Sequence, residues 1–257
     1  MEKRKTWGQY WFVIQQLTAR EVKRKYARSA LGVLWSVLHP LLSMGVLSLI
    51  FSHMFRRSIE NYPLYYLPGY LLWQAFTGAT NGSITTLADN RALLLKVKFP
   101  MELFILTRSY TALINLGYSL VAYGVMLVVF RIPLGWPVVF LLPIVGCLFL
   151  FSLGISYALS AAYVFFGDVK HLYSVVLTLW MYCSALFYPV DQLSGPVRAV
   201  VEANPLYLFI RCLRGAMLEA RPVLWQELAL MLLWGIGVYG AGHGIFRACR
   251  EKILQKL

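Results

Sequence analysis

Residues 134–166 read LGWPVVFLLPIVGCLFLFSLGISYALSAAYVFF, a run without one Asp, Glu, Lys, Arg or His. About 20 helical residues cross the ~30 Å hydrocarbon core of a bilayer. No water reaches the backbone there, so such a run must satisfy its own hydrogen bonds as a helix. Apolar runs recur on both sides of it: Ala30–Phe55, Leu64–Leu87 and Leu103–Phe130 before, Leu172–Tyr188 and Val223–Phe246 after. With Leu134–Phe166 they predict six spans, with Pro40, Pro133, Pro143 and Pro189 marking kinks or ends because proline lacks the amide donor. The whole chain is 59% hydrophobic and 14% charged, against about 25% charged in soluble domains. The expected class is an all-α integral membrane protein.

The net charge of +13 raises the question of nucleic acid, and its distribution answers it. An even number of spans puts both termini on one side. With that side inside, every lysine is inside, as are most arginines; only Arg56, Arg57, Arg131, Arg198, Arg211, Arg214 and Arg221 fall outside. That is the positive-inside pattern of a cytoplasmic membrane protein with both termini cytoplasmic. The excess charge is then a topology signal and an attraction to anionic membrane lipids, not a nucleic-acid surface. Cys147, Cys183, Cys212 and Cys249 form no CxxC and no metal-ligand spacing, so they read as small packing residues. Lys3-Arg4-Lys5 leads into an amphipathic stretch and not into a cleavable signal peptide.

Two stretches fit neither span nor loop. Over residues 1–29, Trp7, Trp11, Ile14, Leu17 and Val22 recur at helical spacing, largely opposite Gln15, Gln16, Arg20, Lys23 and Arg24. This predicts an amphipathic helix lying in the membrane interface. Residues 191–219 are apolar in patches but interrupted by Asn204-Pro205. They predict two short helices dipping back into the outer leaflet, which is tolerated only where protein or a cavity covers them. After the last span, residues 247–257 form a basic tail.

Enzyme signatures are missing. No lysine follows a glycine, so there is no phosphate-binding GxxxxGK loop, and neither HExxH nor GxSxG occurs. The chain cannot hydrolyse ATP itself, and no cofactor or metal is expected on it. Asp168, Lys170 and His171 cluster at the inner end of the fourth span, as a solvated turn or a salt bridge. Asn115, Gln74, Asn81 and His39 lie in or near spans, bonding between helices or lining a pore. Ser152, Ser156, Ser160 and Gly154 in the fourth span, and Gly235, Gly237, Gly240, Gly242 and Gly244 in the sixth, allow close helix approach, within one subunit or between two. Trp35, Tyr70, Trp73, Phe76, Trp180, Tyr182 and Phe187 lie deep in the spans. They face either lipid or a channel in which aromatic rings stack on sugar C–H faces.

The inner loop after the second span carries the most information. Asp89-Asn90 offers a helix N-cap, Arg91-Ala-Leu-Leu94-Leu95-Lys96 makes about one and a half turns, and Phe99-Pro100 stops it. A short, partly apolar helix on the inner face can dock in a soluble partner and pass that partner's motion to the spans it joins.

At this loop the chain resembles the permeases of type-2 ABC exporters for polysaccharides, such as O-antigen, teichoic-acid and capsule exporters. Three ordered blocks carry the likeness: Leu17-Thr-Ala-Arg20-Glu21-Val-Lys23 through Trp35 and Pro40; Leu67-Pro-Gly69 through Phe76, with Asn90 and Leu94–Pro100; and Phe165-Phe-Gly-Asp168-Val169 with Tyr188-Pro189 and Asn204-Pro205-Leu206. The resemblance implies a homodimer of six-span subunits (spans within 30–246) with two copies of a separate ATP-binding cassette ATPase. It implies a lipid-linked glycan or polyol-phosphate polymer as substrate. The coupling helix would be about 90–98, with Asn90, Arg91, Leu94, Leu95, Lys96, Lys98 and Phe99. An inner gate at Leu31 and Gly32 would adjoin Arg20, Lys23, Arg24 and Arg28, which would hold a lipid diphosphate. The outer gate helices would lie within 191–219. Two features depart from the family pattern: Gly167 stands where many relatives have arginine, and Ser184-Ala-Leu-Phe187-Tyr188-Pro189 replaces the usual serine-proline-valine. A small-drug or lipid exporter of the same architecture, and a membrane enzyme acting on lipid-linked sugars through Asp168 and His171, remain the alternatives.

Overall fold

The computed structural model describes residues 7–27, 29–54, 61–96 and 100–256. Among them every regular element is helical. The α-helices are α1 (Trp7–Tyr26), α2 (Trp35–Met54), α3 (Tyr62–Ile84), α4 (Thr86–Asp89), α5 (Arg91–Lys96), α6 (Glu102–Val129), α7 (Leu141–Phe165), α8 (Val169–Tyr182), α9 (Gly195–Glu202), α10 (Pro205–Leu218) and α11 (Trp225–Lys256). Three segments are long and apolar enough to cross a membrane: Glu102–Val129, Trp136–Phe165 (α7 with the 3₁₀ turn before it) and Trp225–Lys256. The run Trp35–Phe51 is apolar but shorter.

The core has two parts. The larger joins α3, α6, α7, α8 and α10 through residues such as Phe76, Leu116, Phe151, Leu177 and Phe209. The smaller gathers Leu87, Leu94, Met101, Phe104, Ile105, Tyr157, Phe246 and Ile253 at the end where α4 and α5 lie. Helix α7 is the central post. Its serines bond one neighbour, Ser156 donating to Ala79 O (3.3 Å) and Ser160 to Ser83 O (2.8 Å). Its Gly154 faces the other neighbour, α11, where an added Cβ would stand 2.6 Å from Tyr239 Cα. Close packing within the chain thus accounts for Gly154, Gly235 and Gly242, whereas Gly237, Gly240 and Gly244 have nothing within 4 Å of an added Cβ.

Several element boundaries differ from the sequence expectation: α2 begins at Trp35 and not at Ala30, α7 at Leu141 and not at Leu134, and two further differences are larger in consequence. The fifth apolar run is helical only from Val169 to Tyr182, about 21 Å at 1.5 Å per residue, and continues to Pro189 as irregular backbone. Helix α11 runs ten residues past Phe246, to Lys256, so Arg247, Arg250 and Lys252 ride on the last helix. Lys256 Nζ donates to Phe165 O at the end of α7 (3.1 Å).

Candidate functional site

At the α4–α5 end, the sequence places a short helix and the structure shows which way it faces. Leu94 is 8% exposed and belongs to the smaller core, while Leu95 is 60% exposed; Arg91 and Lys96 are also exposed. Leu94 therefore anchors α5 to the bundle, and Arg91 with Leu95, one turn apart, presents the outward face. Asn90 stands just before α5, its carbonyl accepting from the Leu93 and Leu94 amides (3.0 Å each) while its Nδ2 donates back to Thr86 O (2.8 Å). Asp89 accepts from Thr85 Oγ1 (2.9 Å). Lys98 and Phe99 lie outside the described residues.

Helix α1 buries Ile14 and Thr18 and leaves Trp11, expected on the apolar face, exposed together with Phe12. It packs along α6, with Trp11 edge-on to Tyr110 at 5.5 Å. Arg20 and Lys23 point outward. Arg24 belongs to the helix, and Arg28 lies outside the described residues. Glu21 turns the other way and pairs with Arg108 of α6, which also reaches Asp89 (3.9 Å) and Thr86 Oγ1 (3.4 Å). One guanidinium thus joins the interfacial helix to the turn that carries α5. The pair is about one-fifth exposed on each side, so screening keeps its coupling energy on the order of 1 kcal/mol. Glu21→Gln should release α1, read as faster tryptic cleavage at Arg20 and Lys23, with α6 and α7 left intact. Unchanged cleavage would mean that apolar packing alone holds the helix.

Between α1 and α2 the chain turns at Gly32, whose φ of +50° lies in the left-handed region. Its amide donates to Ser29 Oγ (3.2 Å), and Leu31 and Leu34 on either side are exposed. The turn requires glycine because a Cβ is strained at that φ.

The aromatic set divides. Trp35 and Tyr182 are exposed, 43% and 57%. Phe76 is fully buried, edge-on to Trp180 at 5.2 Å and beside Phe151; Trp73 is buried against it. Tyr70 and Phe187 belong to a stacked ladder, Phe51–Tyr62–Tyr66–Tyr70, with Tyr66 and Tyr70 centroids 5.1 Å apart and Phe187 on its side. Tyr70 OH accepts from Gln74 Nε2 (2.6 Å) and lies 3.3 Å from His39 Nδ1. Tyr62, Tyr66 and Tyr70 recur every fourth residue on α3, a signal that the sequence reading passed over.

At the opposite end the irregular segment after α8 is held by side chains from afar. Tyr188 OH donates to Tyr182 O, Asn204 Nδ2 to Cys183 O (2.9 Å), Tyr62 OH to Phe187 O (3.0 Å) and Tyr65 OH to Tyr188 O (3.0 Å). Arg214 of α10 donates to Ala185 O (3.0 Å), Leu186 O (3.0 Å) and Tyr65 O (2.9 Å), its guanidinium 3.7 Å from the Tyr65 ring centroid. Asn204 also accepts from Trp180 Nε1 (2.9 Å) and caps α10 at Leu206 N (3.0 Å). Two short helices, α9 and α10, lie within 191–219 and meet at Asn204-Pro205. Next to it, Arg211 and Arg221 pair with Glu227 of α11.

Among the described residues the chain is thus an all-helical bundle with three segments long and apolar enough to cross a membrane, a first helix packed along α6 and a short helix anchored at one end. The chain belongs to the ABC-2 type transporter family, whose model matches residues 13–218. It is 31% identical to the O-antigen export system permease protein RfbA of Myxococcus xanthus, covering 97% of this chain and 96% of that protein. It is 24% identical to the protein of that name from Klebsiella pneumoniae (94% and 93% covered). It is 20% identical to the polysialic acid transport protein KpsM of Escherichia coli (94% and 95%).

Proposed function

We propose that this chain is the membrane-spanning half of an ATP-driven exporter that carries a lipid-linked polysaccharide across the bacterial cytoplasmic membrane. The observation that carries the reading is the end-to-end similarity to an O-antigen export permease. Six spans, α2, α3, α6, α7, α8 and α11, cross with both termini cytoplasmic; α8 reaches the outer face together with the irregular segment after it. Two copies pair, and two ATPase subunits supply ATP and Mg²⁺ chemistry from below. Helix α5 passes their motion upward: Leu95 and Arg91 touch the ATPase, and Leu94 ties the movement into the inner core. The outward basic face of α1 holds the lipid diphosphate, and α9 and α10 close the outer end.

Removing the chain from its host should abolish surface polymer while polymer accumulates inside, with the ATPase co-purifying with the restored chain. Normal surface polymer without the chain would sink the reading. Leu95→Asp places a charge on the outward face of α5 and leaves the core untouched. It should cut export and ATPase co-purification about tenfold or more, the equivalent of about 1.4 kcal/mol of docking energy, while the melting temperature of the purified chain stays put. Undiminished co-purification would remove Leu95 from the contact.

A further inference from the structure

The smaller core seats two helices that are far apart in sequence, α5 and the last turns of α11. Leu94 and Ile253 are both buried in it. In each case the next residue turns outward: Leu95 is 60% exposed and Leu254 45%. In each case an exposed arginine stands four residues before that leucine, Arg91 on α5 and Arg250 on α11. Residues four apart share a helix face, so each helix sinks one residue in a common core and presents an exposed Arg–Leu pair beside it. The end of α11 is also tied down. Lys256 Nζ donates to Phe165 O (3.1 Å) and lies over the Phe165 ring, 5.5 Å from its centroid.

We infer that the Arg250–Leu254 face of α11 is a second docking surface for the ATPase, continuous with the one on α5. This rests on the exporter reading and on α5 as that partner's contact. Two other occupants compete, membrane lipid and a second copy of the chain. The length of α11 argues against lipid. Glu227, in its first turn, pairs with Arg211 and Arg221 and so marks the outer polar level. About 20 helical residues cross the ~30 Å hydrocarbon core, which places its inner edge near Arg247. Leu254 then stands about 10 Å further in, beyond a headgroup layer of about 5–8 Å. Acyl chains do not reach it there. A second copy is disfavoured by charge. Arg247, Arg250 and Leu254 fall on one face, and the basic side chains of residues 247–256 face a single acid, Glu251. A two-fold contact sets the same patch against itself, so this face would meet its own arginines. A partner surface with an acidic rim around an apolar notch suits both Arg–Leu pairs, and their shared core lets one rigid partner engage both.

The test introduces a photo-reactive side chain, Leu254→benzoylphenylalanine, in the full chain expressed with its ATPase. Parallel chains carry the same probe at Leu95 and at Ile236, which is exposed in mid-span. Illumination should join positions 254 and 95 to the ATPase and leave position 236 without an ATPase adduct. An adduct of position 254 with phospholipid, an adduct with a second copy, or no adduct overturns the surface. If position 95 reacts with the ATPase and position 254 does not, the α11 surface fails alone; if neither reacts, the α5 contact fails with it. Leu254→Asp should lower ATPase co-purification about fivefold or more, as for an interface residue that carries binding energy. Its melting temperature should stay at the parent value, because Ile253 and the core beneath it are untouched. Undiminished co-purification overturns the surface as well. Failure of the exporter reading shows itself separately, as surface polymer made without the chain.

Discussion

Arg214→Leu is expected to cost more stability than any other single polar substitution in the chain, and to abolish export with it. The guanidinium is 5% exposed and serves three backbone carbonyls at once, two of them on Ala185 and Leu186, which are fully buried. These carbonyls belong to a segment that has left the helix: Ala185 has φ +47°, so its backbone follows no ladder. Leaving a buried acceptor unmade costs about 1–3 kcal/mol. Three such losses outweigh the relief of no longer burying a cation, and a net loss of at least about 3 kcal/mol follows. Arg214→Lys keeps the charge but not the fork, and one ammonium cannot span carbonyls on α3 and on the irregular segment together. It should fall between the two. The measurement is thermal unfolding of the purified protein, with proteolysis of residues 183–190 as the local readout. A Leu variant that melts like the parent would mean that water satisfies those carbonyls.

Arg214 also marks where sequence reading stops. Helices announce themselves locally, through long apolar runs and through the amphipathic spacing of Trp11, Ile14 and Leu17 on α1. The break at Asn204-Pro205 was legible for the same reason, since a capping residue followed by proline acts within a few positions. The short helix over Arg91–Lys96 was legible too. The end of α8 was not, because nothing in Cys183–Tyr188 forbids another helical turn. What ends it is a set of donors supplied by Tyr62, Tyr65, Asn204 and Arg214, all remote in sequence. The Glu21–Arg108 pair is remote in the same way, and nothing near Glu21 in its basic stretch points to Arg108. Direction was hidden as well: Leu94 and Leu95 are chemically alike, and only the tertiary structure, which puts Leu94 in the inner core with Phe104, Ile105 and Ile253, decides which faces inward.

The second large effect concerns two glycines on one helix. Gly242 and Gly240 both sit in α11, and replacing either by alanine should favour the helix by about 1 kcal/mol from propensity alone. Their surroundings differ completely. A Cβ on Gly242 would stand 2.6 Å from the Gly154 carbonyl carbon and 3.0 Å from its Cα, whereas a Cβ on Gly240 meets nothing within 4 Å. The obstacles at Gly242 are backbone atoms, which no rotamer change can move, so α7 and α11 must part. Close backbone approach at small residues is a main source of cohesion between membrane helices, and overpacking such a contact costs about 1–3 kcal/mol. Parting also reaches the inner core, because Phe246 and Ile253 lie further along the same helix and share a cluster with Leu94. Gly242→Ala should therefore lower both the melting temperature and export, and Gly242→Leu should leave little folded protein. Gly240→Ala should melt at or slightly above the parent temperature. If the two alanine variants melt together, the tight α7–α11 crossing is not what holds this bundle.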